Sequence, residues 1–116
     1  IVERKKDMII TGGLKVFPSQ VEEVLLTHPD VKEAAVIGVP DVRRSEVVMA
    51  FIVREDGATT SETDIIGFCQ GKMAHYKMPR SVEFRADLPK NLVGKVLRRK
   101  LLEEVLARLS PLDADS

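Results

Sequence analysis

The chain has 116 residues, enough for one hydrophobic core and too few for two. Its 18 Lys plus Arg balance 18 Asp plus Glu, so bulk charge makes no case for nucleic acid or an anionic membrane as partner. One cysteine, Cys69, excludes an intrachain disulfide and fits a reducing compartment, and no apolar run approaches the roughly 20 residues that span a bilayer.

No signal peptide is visible, and the chain opens on Ile1 with residues that already belong to a motif. The expectation is a piece of a longer protein whose remainder lies upstream. Met8-Ile9-Ile10-Thr11 reads as a short strand, Gly12-Gly13 as a turn and Leu14-Lys15-Val16 as a return strand, together a hairpin. Pro18-Ser19-Gln20-Val21-Glu22 reads as a helix start, with Ser19 and Glu22 at capping-box spacing. Val21, Val24, Leu25 and His28 share one face of that helix, and Pro29 stops it.

Ala34 to Val39 is a predicted strand ended by Pro40-Asp41, and Val47 to Val53 is a nearly continuous apolar strand expected at the centre of a small sheet. Glu55 to Ala58 is a turn. Ser61 or Thr60 caps a helix expected to run to about Met73, with Ile65, Ile66, Cys69 and Met73 inward. Pro79 breaks the chain before a strand over Ser81 to Arg85. Leu97, Leu101, Leu102, Val105, Leu106 and Leu109 form one stripe of a last helix, and residues 111–116 form a polar, mobile tail. The fold class is α+β: a sheet of about three strands, flanking helices and an N-terminal two-stranded hairpin.

Between the last strand and the last helix lies Leu88-Pro89-Lys90-Asn91-Leu92-Val93-Gly94-Lys95. Gly94 frees the backbone directly before Lys95, a design for presenting one ammonium group at an exposed turn. A lysine so held is a point cation for a phosphate or carboxylate oxygen. Pro89 and Lys90 are expected to stiffen and charge the approach, and Arg98 and Arg99 to suppress any local anionic field. Cys69 reads as a small apolar core residue. No metal-ligand cluster, Ser-His-Asp set or Gly-rich phosphate loop is visible.

The Gly94-Lys95 loop, together with Arg4-Lys5-Lys6-Asp7-Met8-Ile9-Ile10-Thr11-Gly12-Gly13 and Phe17-Pro18-Ser19-Gln20-Val21-Glu22, resembles the C-terminal domain of the adenylate-forming enzymes. That superfamily includes acyl-CoA synthetases, nonribosomal adenylation domains and luciferases. The resemblance runs from Glu3 to about Leu109, and the residues around Tyr76 to Arg99 look most like bacterial long-chain fatty acid–CoA ligases. It implies three segments: a hinge linker over 1–7, a lid domain over 8–110 and the tail over 111–116.

The resemblance also assigns roles. Lys95 is the implied catalytic and nucleotide-binding lysine of adenylation, contacting the attacking carboxylate and the α-phosphate of ATP. Lys6 matches the hinge about which the domain turns between two half-reactions, Arg4 the residue that meets the ATP ribose, and Asp7 a structural anchor of the linker. Gly12 and Gly13 match the loop beside the pantetheine thiol in the thioester step. Leu14-Lys15 stand where many relatives have Glu-Asn. Tyr76 could stack on the CoA adenine, Lys77 or Arg80 could meet its phosphates, and Arg43 and Arg44 could take its 3′-phosphate or be solvated surface.

ATP, Mg²⁺ and CoA are the implied cofactors of the full-length enzyme, none held tightly by this chain. The partners are an upstream domain carrying the phosphate loop, Mg²⁺ ligands and acyl pocket, and a lysine acetyltransferase that can silence Lys95. The implied location is cytoplasmic, peripheral to the inner membrane through the absent domain. Two other readings stay open: delivery of the acyl group to a carrier-protein thiol, and a non-catalytic binding module, against which neutral charge and one exposed aromatic, Tyr76, both count.

Overall fold

The structure, a computed structural model, describes residues 7–109. Arg4, Lys6 and the tail over 111–116 lie outside the described residues. The first hairpin pairs β1 (Ile9–Thr11) with β2 (Leu14–Val16), with Thr11 opposite Leu14. Gly12 and Gly13 close it with φ of +57° and +82°. Two consecutive left-handed residues match the right-handed twist of the strands, which is why glycine serves at both positions.

Helix α1 (Pro18–Leu25) does not use the expected capping box. Its N-cap is Phe17, Pro18 takes the first helical position and no side chain caps the end. Pro18 has no N–H to satisfy, and its fixed φ suits a first turn. Ser19 is already inside the helix, and the Glu22 carboxylate is engaged elsewhere: it accepts from the Val36 N–H at 2.8 Å and from Arg98. The helix ends before Pro29, and the His28 Nδ1 accepts from the Asp30 N–H at 3.0 Å while its ring meets Phe68 edge-on.

Strand β3 (Val31–Asp41) runs antiparallel to β4 (Ser45–Arg54). β3 continues through Pro40, where the sequence had suggested an end. It is the outer strand of the order β2-β1-β4-β3, so a missing N–H there need cost no ladder bond. β4 is central as expected: β3 flanks one side, and β1 and then β5 (Ser81–Phe84) flank the other. The β4–β5 pair is parallel. The hairpin joins the same sheet through Thr11 opposite Ser45, giving five strands.

Both faces of this sheet are covered, which explains the unbroken apolar run of β4. Val48, Ala50 and Ile52 face one core with Val21 and Leu25 of α1 and Ile65 and Cys69 of α2 (Glu62–Cys69). Phe51 and Val53 face the other core with Ala35, Ile37, Leu88 and, from α3 (Arg98–Leu109), Leu101 and Val105. A register shift between Val31 and Glu33 turns Val31 to the first core although Ala35 and Ile37 belong to the second.

Ser61 is the cap of α2, with reciprocal 3.1 Å bonds to Asp64; Thr60 is buried and bonds the Asp30 carboxylate. The helix stops at Cys69, short of Met73, because Gln70 is extended and Gly71 takes φ +79°. Burial pushes the Cys69 thiol up, in line with a core role. In α3 the apolar stripe is only partly covered, since Leu106 and Leu109 stay exposed. Arg108 bridges α3 to Glu83 of β5 at 2.7 Å and holds that carboxyl below its ordinary range, and Arg85 reaches Glu104 at 2.6 Å.

A Cβ at Gly38 would stand 2.9 Å from both Cγ1 and Cγ2 of Ile9 and 3.2 Å from the Glu46 carboxyl carbon. Ile9 is buried and β-branched, with little freedom to move aside. Glu46 meanwhile accepts from the Ile10 N–H at 2.8 Å, which ties β1 to β4 where their ladder has ended. Gly38→Ala is therefore expected to destabilise the fold by about 1–3 kcal/mol, read as a lower urea midpoint. An unchanged midpoint would mean that β1 shifts freely.

Candidate functional site

Lys95 sits on a tight loop whose geometry is set by Asn91. The Asn91 N–H donates to the Lys95 carbonyl at 2.9 Å, and its Oδ1 accepts from the N–H groups of Lys95 at 2.9 Å and Val93 at 3.0 Å. The Gly94 N–H closes onto the Asn91 carbonyl at 3.0 Å. Gly94 has φ +87° with open space around it, so the backbone conformation, not crowding, asks for glycine. Below the tip, Lys90 bridges to Val96, and the Leu97 N–H donates to the Pro89 carbonyl at 2.9 Å. Asn91 escaped the sequence reading, although an asparagine opening a glycine turn is a signal for such backbone capture.

The Lys95 side chain is exposed, and among the described residues it forms no ion pair. Its neighbours behave otherwise than expected. The Lys90 ammonium is 2.7 Å from Glu33 and 3.1 Å from Asp87, so it fastens the loop to β3 and adds no free charge to the approach. The bond to Glu33 and then that to Asp87 push its pKa up. Arg98 does not act as a free cation either. Its Nε and Nη2 grip both Glu22 oxygens at 2.9 and 2.8 Å, and Nη1 lies 3.4 Å from Asp7. Leu92 and Val93, at 106% and 86% exposure, flank Lys95 as bare apolar tips.

A second group gathers at the other end of the sheet. The Gly12 N–H donates to the Arg44 carbonyl at 2.8 Å, and a Cβ on Gly12 would lie 3.9 Å from an Arg44 guanidinium nitrogen. The turn before β4 is tied by Asp41, whose carboxylate accepts from the N–H groups of Arg43 at 3.0 Å and Arg44 at 2.9 Å, and Ser45 takes φ +73°. A cleft of about 220 Å³ is lined by Thr11, Arg44, His75, Tyr76 and Arg80. The structure brings Arg44, Tyr76 and Arg80 together beside Gly12. Arg43 does not line the cleft. Lys77 lines a different depression with Gln20, Val24 and Lys72. Tyr76 is half-buried and packs on the first core, so it is not the free aromatic of the sequence reading. His75, which opens the same stretch and had no role of its own in the sequence reading, also lines the cleft.

The two groups are far apart. Lys90 holds the lysine loop at Glu33, which pairs with Val53 near the end of β4, whereas Thr11 pairs with Ser45 at its start. At about 3.4 Å per residue, the anchor points are on the order of 25 Å apart.

Residues 20–95 match the family model described as AMP-binding enzyme C-terminal domain. The chain belongs to this family. Among relatives of this AMP-binding C-terminal domain, the long-chain-fatty-acid–CoA ligase of Bacillus subtilis (strain 168) is 48% identical over 104 residues, covering 90% of this chain and 19% of that protein. The solved Mycobacterium tuberculosis fatty acyl CoA synthetase superposes with TM-score 0.84 at 40% identity, over 90% of this chain and 21% of that one. ATP-bound MatB from Rhodopseudomonas palustris gives TM-score 0.84 at 42% identity, over 87% of this chain and 20% of its own. The chain therefore spans about a fifth of the length of the proteins it matches. Among its described residues no helix is long and apolar enough to cross a membrane.

Proposed function

We propose that this chain is the mobile C-terminal domain of an ATP-dependent acyl-CoA ligase acting on long-chain fatty acids. The reaction has two steps: acid plus ATP gives acyl-adenylate and pyrophosphate, and acyl-adenylate plus CoA gives acyl-CoA and AMP. The observation that carries the reading is the separation of the two loops along β4. With the domain held in one pose, Lys95 and Gly12-Gly13 cannot both reach one reacting carbonyl. A domain that turns about Lys6 presents each in its step.

In the first step Lys95 meets the carboxylate and the α-phosphate, supported by Arg4 at the ribose. In the second, the side-chain-free turn at Gly12-Gly13 lets the pantetheine chain pass, while Arg44 and Arg80 take phosphates of CoA. The phosphate loop, the Mg²⁺ ligands and the acyl pocket belong to the part of the protein outside this chain. Acetylation of Lys95 by a lysine acetyltransferase would remove the one charge the first step needs and leave the second untouched.

The test uses the longer protein that carries this domain, supplied with a long-chain fatty acid, ATP and CoA. Wild type is expected to release acyl-CoA and AMP. Arg44→Ala and Arg80→Ala are each expected to raise KM for CoA about 10-fold or more, with pyrophosphate exchange unchanged. The effect should shrink with dephospho-CoA for whichever arginine meets the 3′-phosphate. No acyl-CoA from wild type, or acyl transfer to a carrier-protein thiol in its place, would overturn the assignment.

A further inference from the structure

We infer that Arg98 is a positioning residue for Lys95, locking the lysine loop to the end of the linker so that rotation of the domain carries the ammonium group as a rigid part. The inference rests on the two-step reading above. It starts from an arrangement that ordinary surface pairing does not explain. Arg98 is the first residue of α3, three positions after Lys95. Its guanidinium holds both oxygens of Glu22 in a fork and reaches Asp7 at the end of the linker.

The Glu22 carboxylate is itself fixed, because the oxygen that accepts from Arg98 Nε also accepts from the Val36 N–H. One guanidinium thereby joins the linker end, α1, β3 and α3. The side chains of Arg98, Glu22 and Asp7 keep only 19%, 14% and 25% exposure, so solvent loosens the cluster little. A cavity of about 100 Å³ beside it, lined by Asp7, Ile9, Gly38, Glu46 and Arg99, marks the seam where the linker meets the domain.

The path from Arg98 back to Lys95 is stiff. Leu97 is bonded to Pro89, Val96 is bridged to Lys90, and Lys95 is gripped at both backbone groups by Asn91. No soft stretch of backbone separates Lys95 from Arg98. The reach of Lys95 toward a carboxylate and a phosphate is thus set from Asp7, next to the residue about which the domain turns. Arg98→Lys keeps the charge but cannot supply both bonds of the fork together with the reach to Asp7.

The experiment compares Arg98→Lys and Asp7→Asn in the longer protein, with Lys95→Ala as reference. Asp7→Asn leaves the Glu22–Arg98 fork intact and guards against a variant that fails to fold. Thermal unfolding, pyrophosphate exchange at saturating ATP and acid, and thioester formation from preformed acyl-adenylate are measured for each. A misplaced group costs rate without costing binding, so Arg98→Lys is expected to lower exchange kcat at least about 10-fold. Asp7→Asn should lower it by a few-fold. KM for ATP and thioester formation should stay within about twofold.

Unchanged exchange in both folded variants overturns the inference. So does an equal fall in both half-reactions that follows a loss of Tm, since that is what a purely structural cluster would give. If Lys95→Ala abolishes exchange while Arg98→Lys does not, positioning fails and the two-step reading stands. If Lys95→Ala has no effect, the two-step reading itself fails.

Discussion

Replacing Lys95 by alanine in the longer protein is expected to reduce fatty-acid-dependent ATP–pyrophosphate exchange by about 10²–10³, equivalent to about 2.7–4 kcal/mol of transition-state stabilisation. The α-phosphorus becomes five-coordinate in that step, and negative charge spreads over oxygens that a fixed cation can meet. The loop offers such a cation on a held backbone, because Asn91 bonds the N–H groups on either side of Gly94, and the ammonium forms no ion pair among the described residues. Thioester formation from preformed acyl-adenylate should persist in the same variant, since the Gly12-Gly13 turn proposed for that step lies at the other end of the sheet. Lys95→Arg tests the geometry: a broad planar fork in place of a compact ammonium should restore only part of the exchange rate. Equal activity of wild type and Lys95→Ala in both assays would make Lys95 a surface residue.

The largest stability change is expected at Phe51. It is fully buried at the centre of β4, packed with Leu101 and Val105 of α3, and the Arg85 guanidinium lies 4.9 Å above its ring. Phe51→Ala removes the ring and leaves a cavity beneath α3, a loss of about 3–5 kcal/mol. For a domain whose whole stability is about 5–15 kcal/mol, that is a large fraction, and Tm should fall by on the order of 10–20 °C. The damage also has a direction. α3 begins at Arg98, so a helix loosened from the sheet loosens the base of the lysine loop. Differential scanning calorimetry gives the loss, and hydrogen exchange at residues 91–101 should rise before that of α1 and α2. Uniform exchange across both faces of the sheet would sink the expectation of a face-specific effect.

The elements that local chemistry dictates were readable in the chain. Gly12-Gly13 declared a hairpin, Gly94 an exposed turn, Ser61 or Thr60 a cap, and the run from Val47 to Val53 a central strand. The misreadings share one cause, which is a partner distant in sequence. Ser19 and Glu22 have the spacing of a cap, yet Glu22 is taken by Arg98, 76 positions away, and by Val36. Lys90 and Arg98 were read as free charge because Glu33, Glu22 and Asp7 cannot be placed near them from spacing alone.

Pro40 stopped a predicted strand but not the real one, since only the sheet order shows that β3 has a free edge. At the candidate site the split was similar. Lys95 and the glycines followed from motif and turn chemistry. The partition of the basic residues, with Arg44 and Arg80 in one cleft and Lys77 elsewhere, depends on how the short 3₁₀ turn over His75–Lys77 and its flanking loops fold over the sheet. Periodicity says nothing about that.

Cys69 lies wholly inside the first core, with its thiol pushed toward the unreactive neutral form. Within this chain it will therefore stay silent toward maleimide and other thiolate-seeking labels, and it need not be removed before reporters are attached. Val42 and Leu92, at 102% and 106% exposure, stand on the β3–β4 turn and on the lysine loop respectively. Cysteines introduced at these two places would carry a dye or spin label at each end of the domain, with Cys69 left in place beside them. Each label, paired with a second outside the chain, would turn a swing of the domain into a distance trace, one lengthening as the other shortens.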